Sequence, residues 1–185
     1  MIDDLVQDAT RRMDKSVEAA AHEFNTVRTG RASAALLDRI KIDYYGTETP
    51  LKQLATINVP EPRMLTIQPY DPGSIKAIER AIQESDLGLT PSNDGKLIRL
   101  PIPQLTEERR KELVKVVRHL AEEGRVAVRN VRRDVIHDLK ELVRDGEVGD
   151  DEERRAEERV QKLTDEHVGK IEELLKKKEA EIMEV

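Results

Sequence analysis

The sequence predicts an α+β protein, an elongated antiparallel three-helix bundle with a small α/β domain inserted into it, giving two hinged domains. Three observations lead there. Long stretches at both ends of the chain repeat apolar residues every three or four positions, the period of an amphipathic helix. All eight prolines fall between Pro50 and Pro103, so the middle of the chain differs in texture from its flanks. Charged residues make up 38% of the 185 residues and hydrophobic residues 37%, with one Phe and no Trp. That balance suits long amphipathic helices better than a thick globular core.

The first helix is expected from Ile2 to about Arg28. Ile2, Leu5, Val6, Ala9, Met13, Val17, Ala20, Phe24 and Val27 recur at spacings of three and four. Asp3 and Asp4 occupy its first turn, where the helix dipole favours acids. Thr29-Gly30 is expected to end it, with Gly as the left-handed cap. From Arg31 to about Leu105, short β-branched segments alternate with turns. Strands are expected at 39–45, 55–59, 64–69 and 96–102. Tyr45-Gly46-Thr47 and Ser92-Asn93-Asp94-Gly95 carry turn chemistry. One helix is embedded here. It opens at Asp71-Pro72, an N-cap followed by Pro at N1, and runs through Ile75, Ile78, Ala81 and Ile82 to about Ser85.

Thr106-Glu107-Glu108 begins a second long helix that continues to about Arg144, roughly 55 Å at 1.5 Å per residue. Its apolar side is read as Leu113, Val117, Leu120, Gly124, Val131, Val135 and Leu142. Asp145-Gly146-Glu147-Val148-Gly149 breaks it, and Asp150 with Glu153 has the spacing of a capping box. A third helix follows, with Val160, Leu163, His167, Ile171, Leu174 and Ile182 at helical spacing. An apolar stripe along a helix cannot stand alone in water. The three long helices are therefore expected to pack together over 1–29 and 106–185. Residues 31–105 then form the inserted domain, and the hinges lie near 29–31 and 102–106. The molecule is expected to be a rod with a small head at one end.

One row of residues asks for a partner. Between Gly124 and Asp134 the sequence reads G-R-V-A-V-R-N-V-R-R-D. At about 100° per residue, Arg118, Arg125, Arg129, Arg132 and Arg133 fall within roughly 100° of one another, well away from the apolar side. Such rows are usually solvated faces balanced by carboxylates at i,i+4, and those carboxylates are missing here. Guanidinium groups bind phosphate in a planar, bidentate fashion. The row is thus a candidate nucleic-acid contact, and a net charge of −6 makes that contact local rather than indiscriminate.

Other chemistry is not indicated. The chain has no Cys, which rules out disulfides, thiol catalysis and thiolate metal sites. His22, His119, His137 and His167 are scattered, and Asp134-x-x-His137 stands alone where a bundle di-metal site needs two such motifs plus further carboxylates. His167 lies in the apolar stripe and reads as a core-edge histidine. No phosphate-binding loop or nucleophile elbow is present. Tyr44 and Tyr45 could stack on a base, but strand and turn packing is the simpler reading. No catalytic residue, cofactor or metal is expected, and the chain reads as a binding protein rather than an enzyme. No apolar run approaches the length of a membrane span, and the opening M-I-D-D-L-V-Q-D has no signal character, so a cytoplasmic location is expected.

Several blocks resemble the bacterial ribosome recycling factor family. They are R-T-G-R-A-S (Arg28–Ser33), Y-Y-G-T (Tyr44–Thr47), P-L-K-Q-L-A (Pro50–Ala55), S-D-L-G-L-T-P (Ser85–Pro91), P-Q-L-T-E-E-R-R-K (Pro103–Lys111) and R-V-A-V-R-N-V-R-R-D (Arg125–Asp134). The order of helix, insert, helix, helix agrees as well. The resemblance implies a translation factor that binds the large ribosomal subunit after termination, and the chain is expected to be a monomer. With elongation factor G and GTP it would separate the subunits, the hydrolysis belonging to that partner. It implies ribosomal RNA contacts at Arg129 and Arg132, with Arg110 added; Arg125, Arg133 and Arg118 come from the stripe alone. It also implies a hinge at Thr29, Gly30 and Arg31 on one crossing and Pro103, Gln104, Leu105 and Thr106 on the other. Two other readings stay open at this point. One is a helical adaptor for a protein partner, and the other is an enzyme whose site lies in the α/β domain.

Overall fold

The computed structural model describes residues 1–184; Val185, the last residue of the expected bundle range, lies outside the described residues. The chain divides into two compact units, 1–29 with 107–184 and 30–106. The first unit holds three long helices, α1 (Ile2–Thr26), α4 (Glu107–Arg144) and α5 (Asp150–Met183). Cross-helix pairs fix their directions. Asp3 meets Arg159 and Asp14 meets His167, so α1 runs parallel to α5. Arg12 meets Asp134, and Arg118 meets Glu179, so α4 is antiparallel to both.

The α4 seam is wider than periodicity suggested, because two helices cover it. Leu113, Val117, Ala121, Gly124, Val128, Val131, Val135 and Leu139 are buried, while the expected Leu120 and Leu142 are only half-buried at its edges. From α1 come Val6, Ala9, Met13, Ala20 and Phe24, and from α5 Ala156, Val160, Thr164, His167, Ile171 and Ile182. Each fully buried Leu, Ile or Val here contributes about 1.5–3 kcal/mol relative to exposure. Gly124 marks the closest approach. A Cβ there would lie 3.1 Å from Ile171 Cδ1 and 3.2 Å from the Ala20 Cβ.

His167 is buried among these apolar side chains, and both ring nitrogens face acceptors. Nδ1 is 2.7 Å from the Leu163 carbonyl and Nε2 is 2.7 Å from Asp14 Oδ1. This ties α1 to α5 with a directional bond that apolar contacts cannot supply.

Helix ends differ from the expectation in two places. α1 stops at Thr26, and Val27 is already extended, so Gly30 is not its cap. Gly30 has φ +77°, and a Cβ on it would meet Leu105 Cγ at 3.1 Å. Glycine is needed there because the outgoing and returning segments touch. At α5 the capping box does not form. Gly149 is the N-cap without a side-chain bond, and Asp150, Asp151, Glu152 and Glu153 act through the helix dipole.

The second unit contains β1 (Lys41–Tyr44), β2 (Thr47–Pro50), a single turn α2 (Leu51–Leu54), β3 (Ala55–Glu61), β4 (Met64–Pro69), α3 (Ile75–Glu84), β5 (Ser92–Asn93) and β6 (Ile98–Pro101). β1 and β2 form a hairpin through Tyr45-Gly46, both at positive φ, and β3-β4-β6-β5 form an antiparallel sheet. β2, β5 and α2 were not expected. T-E-T-P and S-N are polar segments in which pairing with a neighbour, not apolar alternation, makes the strand. Leu65, Ile67, Ile98 and Leu100 share a core with Ile75, Ile78 and Ile82 of α3. Asp71 caps the turn before α3 by accepting from the Gly73 N–H at 2.9 Å.

Candidate nucleic-acid interface

The arginine row lies on α4, and the structure sorts its members into two groups. Arg125 is committed inward. It is 18% exposed and holds Glu122 of its own helix at 2.8 Å while making a second ion pair with Glu172 of α5. Partial burial works against its charge, but the bonds to Glu122 and Glu172 outweigh that and hold its pKa above the usual arginine value. Arg118 likewise reaches α5, with Nε 2.8 Å from Glu179 Oε1. The premise that balancing carboxylates are missing therefore does not hold for these two. Glu122 stands at i−3 rather than i+4, and the other partners come from 47 and 61 residues along the chain. Sequence spacing within one helix has no access to such partners.

Arg129, Arg132 and Arg133 form the other group. Arg129 and Arg133 are exposed and Arg132 is half-buried. Arg129 has one distant partner, Glu122 at 3.9 Å. Arg132 and Arg133 make no ion pair among the described residues, and the buried Nε of Arg132 has no hydrogen-bond partner. Asp134, adjacent in sequence, would otherwise offset them. It is drawn instead to Arg12 of α1 at 2.7 Å. The bundle thus removes the local carboxylate and leaves guanidinium groups without internal acceptors. An unpartnered buried N–H costs about 1–3 kcal/mol, which a bound acceptor would recover. Arg12 gave no signal in the sequence, since only the α1–α4 packing brings it to Asp134.

Arg110 is half-buried near the start of α4, and its Nε is also buried without a partner. At 1.5 Å per residue it lies about 33 Å from Arg132, so one phosphate cannot join them. An extended, regularly charged ligand can. The histidines add nothing to the row. His137 is exposed beside Glu141 at 3.3 Å, and no cluster able to hold a metal occurs among the described residues.

In the second unit, Tyr44 is half-buried and donates from its hydroxyl to Asp71 Oδ2 at 3.2 Å. Burial, and then that bond to a carboxylate, pushes the Tyr44 hydroxyl above its usual pKa. Tyr45 stands 86% exposed at the hairpin turn, its ring edge-on to Tyr44 at 4.6 Å. Of the expected hinge residues, Gly30 and Leu105 are in contact. The chain crosses between units at 29–30 and 106–107. No helix among the described residues is long and apolar enough to cross a membrane.

Comparison with known proteins gives one answer. The family model described as ribosome recycling factor matches residues 20–183. A curated ribosome-recycling factor from Rubrobacter xylanophilus is 62% identical over 97% of this chain and 97% of its own length. A solution structure of the ribosome recycling factor is similar with a TM-score of 0.74 and 46% identity, covering all of this chain and 98% of that one. A second solved structure covers both chains fully, with a TM-score of 0.65 and 48% identity. It is described as models for the T. thermophilus ribosome recycling factor and the E. coli elongation factor G bound to the E. coli post-termination complex.

Proposed function

Because the chain belongs to the ribosome recycling factor family, we propose that its three-helix unit docks on ribosomal RNA of the large subunit once translation has terminated. Recycling of the ribosome is the activity of this family, and the solved relative described with elongation factor G on a post-termination complex supplies the second partner. Arg132 and Arg133, left without internal counter-charges, carry the reading, with Arg129 and Arg110 extending it along α4. Arg125 and Arg118 act instead as struts to α5. The protein works as a cytoplasmic monomer and catalyses nothing itself; GTP hydrolysis by elongation factor G drives subunit separation. The crossings at Thr29-Gly30-Arg31 and Pro103-Gln104-Leu105-Thr106 serve as the hinge through which that work reaches the helical unit.

Two measurements on the intact chain test this. Co-sedimentation with purified large subunits across a salt series is expected to show steeply salt-dependent binding, since each neutralised phosphate releases counter-ions. Light scattering of post-termination ribosomes is expected to show splitting only with the protein, elongation factor G and GTP together. Salt-independent binding would point to a protein adaptor. GTP turnover by the isolated chain would point to an enzyme.

A further inference from the structure

Among the described residues, Glu122 is the carboxylate beside Arg129, and Arg125 holds it from the other side. Its Oε2 accepts from Arg125 Nε at 2.9 Å and lies 2.8 Å from Nη2, a two-pronged grip. Arg125 is in turn anchored to α5 through Glu172. Glu122 Oε1 faces the other way, 3.9 Å from Arg129 Nη1, with both side chains 52% exposed. Charges alternate along this line, Glu172, Arg125, Glu122, Arg129, from the α4–α5 groove to the surface. Arg129 therefore presents its guanidinium beside a fixed negative charge, whereas Arg132 and Arg133 do not.

We propose that Glu122 is a specificity-determining residue, acting through Arg129 to weaken binding to phosphates of arbitrary RNA. This rests on the reading that the arginine row binds ribosomal RNA. A phosphate that approaches Arg129 must take over from Glu122 Oε1 and remain near the carboxylate. A loosely held duplex meets that repulsion without compensation. A folded RNA that fits the helix can place its phosphate on the far side of Arg129 and offer Glu122 a donor, such as a ribose 2′-hydroxyl. An acceptor fixed between two cationic donors complements that arrangement of hydroxyl and phosphate. Net charge of −6 already disfavours indiscriminate binding, and Glu122 puts the same discrimination at the contact itself.

The test compares two probes, a mixed-sequence RNA duplex and purified large ribosomal subunits, across a salt series. Glu122→Gln keeps an acceptor oxygen but removes the charge. It is expected to tighten duplex binding about two- to fivefold, the equivalent of an exposed ion pair, and to tighten large-subunit binding less or weaken it, so that the preference for the subunit narrows. Glu122→Asp keeps the charge and is expected to retain weak duplex binding. In an Arg129→Ala background, Glu122→Gln is expected to do nothing, because the effect passes through Arg129. Equal tightening toward both probes, or tightening that persists without Arg129, would show a general charge effect and overturn the proposal. Unchanged duplex affinity would overturn it too. If Arg129→Ala alone changed neither affinity, the arginine row as an RNA contact would fail, and this inference with it.

Discussion

Replacing Arg132 and Arg125 separately by Ala separates contact from scaffold, because the two side chains differ in what they touch. Arg132 has no partner and one buried, unsatisfied N–H. Truncating it breaks no internal bond, and relief of the unpaired N–H opposes the packing lost with the half-buried stem, so folding stability is expected to change by less than about 1 kcal/mol. Its loss in binding is that of a charge-assisted hydrogen bond, about 1–3 kcal/mol, or roughly five- to 150-fold in affinity. The salt slope of large-subunit binding is expected to fall by about one. Arg125 is the reverse case. At 18% exposure it joins Glu122 and Glu172, whose side chains remain 52% and 43% exposed and can rehydrate once it is gone. The loss is therefore nearer two partly exposed ion pairs than a broken buried pair, about 1–2 kcal/mol. For a helical unit of about 100 residues this corresponds to roughly 5–10 °C in Tm. Thermal unfolding by circular dichroism and co-sedimentation in a salt series read the two quantities independently. A reduced salt slope with an unmoved Tm for Arg125→Ala would make it an RNA ligand and its ion pairs idle. Equal losses of folding and binding for Arg132→Ala would make the row structural.

Replacing residues 31–105 with a short flexible linker is expected to leave a helical unit with a cooperative unfolding transition, since the α1, α4 and α5 seams bury against one another; a molten product would refute it. Gly124→Ala is expected to stay within about 1 kcal/mol of the parent in denaturant unfolding, because the helix propensity gained offsets the contacts at 3.1 and 3.2 Å. Gly124→Leu is expected to cost about 3 kcal/mol, as the Ala20 Cβ moves only with the α1 backbone; a tolerated Leu would mean the helices separate easily. Asp94 accepts from the backbone N–H groups of Lys96 and Leu97, which with Arg99 hold its carboxyl below the ordinary 3.8. A pKa depressed in the folded state gives stability that is complete above the unfolded value and is lost as pH falls below about 4 through the folded value. Asp94→Asn is expected to flatten the acid limb of unfolding for residues 30–106, and an unchanged limb would show that Asp94 contributes nothing there.

Much of the architecture follows from local chemistry, and those parts were legible. Apolar spacing marks α1, α4 and α5 because helix geometry brings residues three and four apart to one side whatever lies opposite. Asp71-Pro72 marks the start of the helical segment before Ile75 because N-cap and N1 preferences act within a few residues. Where the outcome depended on distant groups, local reading stopped short. β2 and β5 exist through pairing with β1 and β6, and Gly30 is glycine because of Leu105, 75 positions along the chain in numbering. The candidate site divides the same way. That arginines gather on one side of α4 is a property of the sequence. Which of them remain available is a property of the bundle, because Glu172 and Glu179 arrive from α5 and Arg12 arrives from α1. Charge interactions act through space at a few ångströms, and only the packed helices decide which charges come within that reach.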